Sequence, residues 1–183
     1  MIISSIPNFL TVFRFFLVYP IVISILEQNY QVTLFFFFLA GISDYLDGFL
    51  ARKYSWESRF GKIFDPISDK VLVIATLISL SLVGEINIYL TMFLLSRDLF
   101  IIVGVILSSL LLDDYEIKPY FSGKFNSFVL MTYLGFVILE VTFNFVPNLF
   151  LNFLMTALII TSLYSVIEYL KHPGRKVISQ IFF

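Results

Sequence analysis

The chain has 183 residues, of which 59% are hydrophobic and only 14% are charged. An ordinary soluble domain has roughly 45–50% apolar and about 25% charged residues, so the composition excludes a water-soluble globular fold as the default. The formal net charge of −1 argues against a nucleic-acid partner, because binding to a phosphate backbone requires a clustered surplus of Lys and Arg. The chain has no cysteine and one histidine, His172, which makes a thiolate or histidine metal site implausible.

Apolar stretches recur along the chain, each long enough to form a helix of about 20 residues that crosses a bilayer. They cover Phe9 to Leu26, 32–50, 63–83, 88–112, 125–146 and 149–170. Gly84, Pro147 and the polar stretch 113–123 mark breaks between them. The sequence therefore predicts an all-α integral membrane protein, in which a bundle of six transmembrane helices forms a single domain over residues 1–183.

The basic residues outside these stretches predict the orientation of the bundle. They fall in the connections 51–62 and 113–124 and in the tail from Lys171. The connections that alternate with these, around 27–31, 84–87 and 147–148, contain no Lys or Arg. Because cytoplasmic loops carry the excess of Lys and Arg, this pattern predicts that both termini are cytoplasmic. We expect a multi-pass protein of a bacterial cell membrane or inner membrane, with its site facing the cytoplasm.

Four aspartates stand out against this apolar background, at or inside the ends of the second and third predicted helices. They are Asp44, Asp47, Asp65 and Asp69. A charged side chain at the middle of a span costs about 2.5–3.5 kcal/mol on insertion scales, so these residues need a compensating role. Spacings of three and four place each pair on one helix face. Four converging carboxylates without Cys or His favour hard divalent cations. The alternative is structural ion pairing with Arg52, Arg59, Lys62 or Lys70.

Small residues accompany the acids, and Gly or Ala lets a phosphate-bearing ligand approach a helix backbone closely. The segment from Asp44 to Asp69 follows the pattern D-x2-D-G-x2-A-R-x8-G-x3-D-x3-D at all eight fixed positions. This pattern is the signature of the CDP-alcohol phosphatidyltransferase family, which the chain resembles over most of its length. The resemblance implies six membrane helices, with the signature on the second and third, and it makes a homodimer an expectation.

The resemblance also implies roles for the signature residues. Asp44, Asp47 and Asp65 would ligate two divalent cations, Mg²⁺ or Mn²⁺, that hold the diphosphate of CDP-diacylglycerol. Asp69 would also lie at the metals and act as the base that takes the proton of the attacking alcohol. The residues expected to line the cytidine nucleotide are Gly48, Ala51, Arg52, Ser58 and Gly61.

A second group of charged residues bears on the acceptor alcohol. Arg14 ends the segment Ile6 to Arg14, which resembles the I-P-N-x-L-T-x-x-R opening of the anionic-lipid branches of the family. Together with Arg97, Lys118 and Lys124, it is expected to form a cationic pocket for a phosphate-bearing acceptor. The alternatives are that Arg97 pairs with Asp98 or Glu140, and that the two lysines only determine the membrane topology.

Two branches of the family compete. The chain resembles the CMP-forming cardiolipin synthases, whose acceptor is phosphatidylglycerol, in the segment Ser96-Arg97-Asp98 and in the stretch from Lys118 to Ser127. It also lacks the second Arg-Glu pair that is typical of the other branch. The alternative is a phosphatidylglycerophosphate synthase, which uses glycerol-3-phosphate.

Alternatives from other classes are a transporter with intramembrane carboxylates, a membrane prenyltransferase and a purely structural membrane protein. The confinement of the acids to one predicted hairpin counts against a transporter.

Overall fold

The computed structural model describes residues 6–54, 59–111 and 121–171, with the backbone alone for some of them, including Ala51, Arg52 and Gly61. Over these residues the chain is all-α and forms six helices. They are α1 (Ile6–Leu26), α2 (Tyr30–Tyr54), α3 (Arg59–Leu82), α4 (Ile88–Leu111), α5 (Phe121–Phe143) and α6 (Asn148–Tyr169). Each predicted span falls on one helix, with ends that differ by at most four residues. The all-α prediction is therefore confirmed.

Four of the helices contain segments that are long and apolar enough to cross a membrane. These segments are Tyr30–Phe49, Ile88–Ile106, Ser122–Phe143 and Asn148–Tyr169. The apolar part of α1, Leu10–Leu26, is shorter, and the first half of α3 contains Asp65, Asp69 and Lys70, which lower its hydropathy. Composition thus supports a membrane protein, with four spans by length and hydropathy among the described residues.

The chain divides into two compact units. The first contains residues 1–88 and 134–146, and the second contains residues 89–133 and 147–183. The first unit therefore holds α1, α2, α3 and the end of α5, whereas the second holds α4, α6 and the beginning of α5.

In the first unit, α1 packs against both α2 and α3. The buried face of α1 is marked by Thr11, Arg14, Leu17, Ile21 and Ile25, which recur every three or four residues and so lie on one side of the helix. Most of this face is apolar and forms an ordinary helix interface. Its N-terminal end is polar, and this end is the part that meets the aspartates.

Tight turns close the helix ends at the connections that lack basic residues. After α1, Gln28 has a positive φ of 56°, and the backbone N–H of Asn29 donates to Ser24 O at 2.8 Å. After α3, Gly84 has a φ of 89°, and the N–H of Glu85 donates to Leu80 O at 2.9 Å. These are Schellman motifs, in which a left-handed residue lets the chain turn while satisfying the last helix carbonyls.

In the second unit, Tyr169 of α6 packs on α4. Its side chain is 5% exposed, and its hydroxyl lies 3.1 Å from Ser108 Oγ. A Cβ atom added at Gly104 would lie within 2.6 Å of Tyr169 Cζ, closer than real Cβ contacts. The absence of a side chain at Gly104 therefore allows α4 and α6 to approach each other.

We expect Gly84→Ala to destabilise the protein, because alanine is strained at the positive φ of this turn. The expected loss is about 1 kcal/mol, which corresponds to a decrease in Tm of about 2–4 °C for a chain of this size. Thermal unfolding of the purified protein in detergent measures this change. Gly123→Ala is the matched control, since a Cβ at Gly123 on α5 meets nothing within 4 Å. An equal decrease in Tm for both variants would contradict the view that the positive φ at Gly84 requires glycine.

Candidate active site

The four aspartates of the signature lie on two helices of the first unit. Asp44 and Asp47 project from the C-terminal half of α2, and Asp65 and Asp69 from the N-terminal part of α3. Their surroundings differ, since Asp47 is 4% exposed whereas the side chains of Asp44 and Asp69 are about half exposed, at 49% and 46%. The cluster thus has one buried member and two that face outward.

Arg14 of α1 reaches three of the four aspartates from one buried position. It is 1% exposed, and its Nη2 lies 3.2 Å from Asp44 Oδ1 and 3.7 Å from Asp47 Oδ2. Its Nη1 pairs with Asp69 and lies 3.5 Å from Ser68 Oγ. One guanidinium therefore bridges the carboxylates of α2 and α3. This ion pairing differs from the predicted alternative, in which the partners were basic residues of α2, α3 and their connection.

Thr11, one helical turn before Arg14, makes a second bridge. Its hydroxyl donates to Asp47 Oδ2 at 3.2 Å and also contacts Asp65 Oδ1. A hydroxyl has a single proton, so it can satisfy only one of the two carboxylates at a time. Sequence reasoning missed Thr11, although its spacing of three from Arg14 in the segment Ile6 to Arg14 was a usable signal.

The chemistry of this cluster fits a hard divalent cation. All of its donor atoms are oxygens, and among the described residues the buried Asp47 Oδ1 has no hydrogen-bond partner. A buried carboxylate oxygen without a partner is costly, and a bound cation would remove that cost. Within the described part of the chain, however, no three Asp, Glu or His side chains lie close enough together to form a ready-made metal site. Arg14 and Thr11 lie among the carboxylates instead.

The residues predicted to line a nucleotide are described only in part. Gly48 follows Asp47 on α2 and is half-buried. Ala51 lies at the end of α2 and Gly61 at the beginning of α3, with only their backbone described, as is also the case for Arg52. Ser58 lies outside the described residues. Their roles stay predictions.

Arg97 belongs to the second unit and is 8% exposed. Its Nη1 pairs with the adjacent Asp98, and its Nη2 donates to Ser165 Oγ on α6. Of the two partners considered for Arg97, Asp98 is thus the one it contacts in its own unit. Glu140 makes a different bond, since its Oε2 accepts the backbone N–H of Val146 at 2.6 Å.

Two lysines predicted for the acceptor pocket lie on α5 or before it in the chain. Lys124 is exposed on α5, and Lys118 lies outside the described residues. Close to Lys124, Asn126 is buried and accepts hydrogen bonds from Thr161 and Ser162 of α6 at 2.9 and 2.8 Å. These bonds hold the beginning of α5 against α6. A pocket shared by Arg14, Arg97 and the lysines stays a prediction.

Comparison with known proteins agrees with the signature. The CDP-alcohol phosphatidyltransferase family matches residues 4–167 of the chain. The chain belongs to this family. Because the match covers α1 as well as the signature, the family segment includes Thr11 and Arg14 together with the four aspartates.

Relatives with two different names are similar to this member of the CDP-alcohol phosphatidyltransferase family. It is 32% identical to the cardiolipin synthase (CMP-forming) of Rattus norvegicus and 30% identical to that of Homo sapiens, each over 97% of this chain. It is 35% identical to the CDP-diacylglycerol–glycerol-3-phosphate 3-phosphatidyltransferase of Aquifex aeolicus, over 75% of this chain and 78% of that protein. The chain spans 64% of the length of the rat and human relatives.

Proposed function

We propose that this chain transfers the phosphatidyl group of CDP-diacylglycerol to an alcohol and releases CMP. Family membership supports this reaction class, since the names of the similar proteins describe phosphatidyl transfer or cardiolipin synthesis. The observation that carries the proposal is the grouping of the signature aspartates around Arg14 in one unit. One guanidinium balances only part of the charge of four carboxylates, and the remaining negative charge is expensive in an apolar setting unless the cluster binds cations.

The roles we propose follow the signature. Asp44, Asp47 and Asp65 hold two divalent cations, Mg²⁺ or Mn²⁺, and Asp69 also lies at this site. Bound there, the cations would stabilise the charge that develops on the diphosphate and on the departing CMP. Asp69 acts as the general base that takes the proton of the acceptor hydroxyl. Its half-exposed side chain is accessible to an acceptor that arrives from outside the cluster.

For the nucleotide we propose a site beside the aspartates on α2 and α3. It is lined by Gly48, Ala51, Arg52, Ser58 and Gly61. Glycine and alanine leave room for the ligand to approach the helix backbone, and the guanidinium of Arg52 offers a charge-assisted hydrogen bond to a phosphate.

For the acceptor we propose phosphatidylglycerol, which would give cardiolipin. The identity to the rat and human cardiolipin synthases extends over nearly the whole chain. The charge of Arg97 is also offset by its pairing with Asp98. A neutralised arginine suits the single negative charge of a phosphodiester, whereas the dianionic glycerol-3-phosphate favours a more basic pocket. Arg14, Arg97, Lys118 and Lys124 stay the residues that we propose for binding the acceptor.

The second candidate is a phosphatidylglycerophosphate synthase. It is favoured by the 35% identity to the enzyme from Aquifex aeolicus, which covers 78% of that relative. The same carboxylates and nucleotide residues would serve either acceptor, because both reactions cleave the same diphosphate.

For the membrane arrangement we propose six spans with both termini in the cytoplasm, and a homodimer as the assembly. The four apolar segments support multiple crossings. α1 and α3 have 21 and 24 residues, and at 1.5 Å per residue both are longer than a hydrocarbon core of about 30 Å. In this arrangement the four signature aspartates lie near the cytoplasmic surface, beside the basic connection 51–62.

The first prediction for function concerns the aspartates. Asp47→Asn removes a charged metal ligand, so we expect CMP release from CDP-diacylglycerol to fall by at least about 100-fold. Asp44→Asn and Asp65→Asn should behave in the same way, and Asp69→Asn should lower kcat through loss of the base. Excess chelator should abolish the activity of the unaltered protein, and added Mg²⁺ or Mn²⁺ should restore it.

The matched control is Glu85→Gln, which also converts a carboxylate to an amide but lies away from the signature. Glu85 accepts a hydrogen bond from the Tyr30 hydroxyl at 2.9 Å, and glutamine retains an acceptor oxygen there. This variant should keep normal turnover. Undiminished turnover in chelator, or in Asp47→Asn, would overturn the proposed metal chemistry.

The second prediction concerns the acceptor. Purified protein supplied with CDP-diacylglycerol and Mn²⁺ should form cardiolipin when phosphatidylglycerol is added, with mass spectrometry identifying the product. Formation of phosphatidylglycerophosphate from glycerol-3-phosphate, with phosphatidylglycerol left unused, would replace the cardiolipin proposal with the second candidate. Failure to release CMP with either acceptor would contradict both.

The third prediction concerns topology. The chain has no cysteine, so a single introduced cysteine reports its own location. Lys53→Cys at the exposed end of α2 should react with an impermeant thiol reagent only from the cytoplasmic side of sealed vesicles. Glu85→Cys, in the exposed turn after α3, should react only from the opposite side. Labelling of both positions from the same side would contradict a crossing by α3.

A further inference from the structure

The buried end of α1 contacts all four signature aspartates. Thr11 and Arg14 are each 1% exposed, so neither can exchange its carboxylate partners freely for water. Arg14 pairs with Asp44, Asp47 and Asp69, and Thr11 contacts Asp47 and Asp65. The helix outside the signature therefore supplies the contacts that join the two aspartate-bearing helices.

The buried guanidinium of Arg14 is not held by a full set of hydrogen bonds. Among the described residues, its Nε and Nη2 have no partner that meets hydrogen-bond geometry, although Nη2 lies within ion-pair distance of two carboxylates. Its Nη1 hydrogen-bonds Asp69, and its Nη2 lies only at ion-pair distance from Asp44 and Asp47, so no single bidentate bond fixes the charge. Such a cation is held by the cluster as a whole.

We propose that α1 completes the cation site in two ways. Arg14 is a built-in counter-cation that occupies the carboxylate cluster until a divalent cation displaces it. Thr11 is a positioning residue that links the carboxylates of Asp47 and Asp65, two of the residues that would hold the cations. This inference rests on the proposed function, since it assumes that the aspartates bind divalent cations.

Competition between charges is the physical basis for the role of Arg14. The carboxylates repel one another strongly when no positive charge lies among them. Arg14 removes this repulsion, so it stabilises the fold without metal and at the same time weakens metal binding. Both effects must appear together, because a divalent cation gains less by entering a cluster that is already partly neutralised.

Hydrogen bonding is the physical basis for the role of Thr11. Its hydroxyl links one carboxylate of α2 to one of α3. Bonds that orient metal ligands commonly contribute a factor of about 10–100 to metal affinity. Removing this hydroxyl while keeping the side-chain volume should therefore weaken cation binding without emptying the interface.

The test for Arg14 is Arg14→Gln, measured with Mn²⁺ alone as the probe. Binding is followed by the electron paramagnetic resonance signal of free Mn²⁺, and Tm is measured in chelator and in saturating Mn²⁺. We expect the variant to bind Mn²⁺ at about tenfold lower concentration than the unaltered protein. Its Tm should fall in chelator and recover in Mn²⁺. Unchanged or weaker Mn²⁺ binding, or an equal loss of Tm in both conditions, would overturn the proposal for Arg14.

Arg97→Gln is the matched control, because Arg97 is also a buried, carboxylate-paired arginine but lies in the other unit. It should leave the Mn²⁺ midpoint unchanged and shift Tm equally in both conditions. If Arg14→Gln does not fold even in Mn²⁺, Arg14→Lys decides the matter. It should show a lower Tm than the unaltered protein in chelator only, and a loss of the same size in Mn²⁺ would overturn the proposal.

The test for Thr11 is Thr11→Val, which keeps the shape and removes the hydroxyl. The Mn²⁺ midpoint should rise by about tenfold and return close to normal in Thr11→Ser. Thr33→Val is the matched control and should leave the Mn²⁺ midpoint unchanged. Thr33 is also fully buried, on α2, and its hydroxyl donates to Ser24 Oγ at 2.9 Å. If Thr11→Val does not fold, Thr11→Ala is measured against Thr11→Ser. Equal Mn²⁺ midpoints in the Thr11 variants would overturn the positioning role.

Two kinds of failure are distinguishable in these experiments. If the unaltered protein neither binds Mn²⁺ nor releases CMP from CDP-diacylglycerol, the proposed function fails. If it does both, and the Arg14 and Thr11 variants bind Mn²⁺ as it does, only the inference about α1 is wrong.

Discussion

The first unit depends on how charge is neutralised inside a largely apolar chain. Arg14 is almost completely buried, and it is stable there because it lies among carboxylates from two other helices. Removing one partner from a buried ion pair is far more costly than the pair is stabilising, so each side of this cluster requires the other. The packing of α1 against both α2 and α3 follows from this requirement at one end and from apolar contact along the rest of the helix.

Much of the fold was predictable because its signals are local. Apolar stretches of sufficient length, interrupted by Gly84, Pro147 and a polar segment, predicted six helices with ends within four residues of those observed. The turn at Gly84 required a residue that tolerates positive φ, and glycine supplied an obvious break. Gln28 and Asn144 adopt the same region at φ values of 56° and 50° without such a signal. A polar residue there is compatible with many conformations, so its turn cannot be identified from the sequence.

The candidate site was predictable only in part, for a related reason. The spacing of the aspartates placed each pair on one helix face, and the resemblance supplied their roles. Which helix would lie against those faces was a long-range question, because periodicity identifies the buried side of a helix but not its neighbour. The contacts of Arg14 with the aspartates were therefore not predicted, although its role in binding the acceptor stays a proposal, and Thr11 was not recognised. Both lie about 30–60 residues before the aspartates they contact.

The two ends of the first unit differ in a way that matches the proposed chemistry. At one end, Schellman turns at Gln28 and Gly84 satisfy the helix carbonyls within a few residues, and the Tyr30–Glu85 hydrogen bond joins the two turns. Such turns leave little room for a ligand. At the other end, the chain passes from Asp47 to Asp65 through the longer, basic connection 51–62. A diphosphate held by cations needs carboxylates and positive charge together, and among the described residues of the first unit the signature aspartates and Arg14 lie at this end. The turns and the Tyr30–Glu85 bond join α1, α2 and α3 at one end of the unit, so the packing of α1 on the other two helices determines where the aspartates meet at the opposite end.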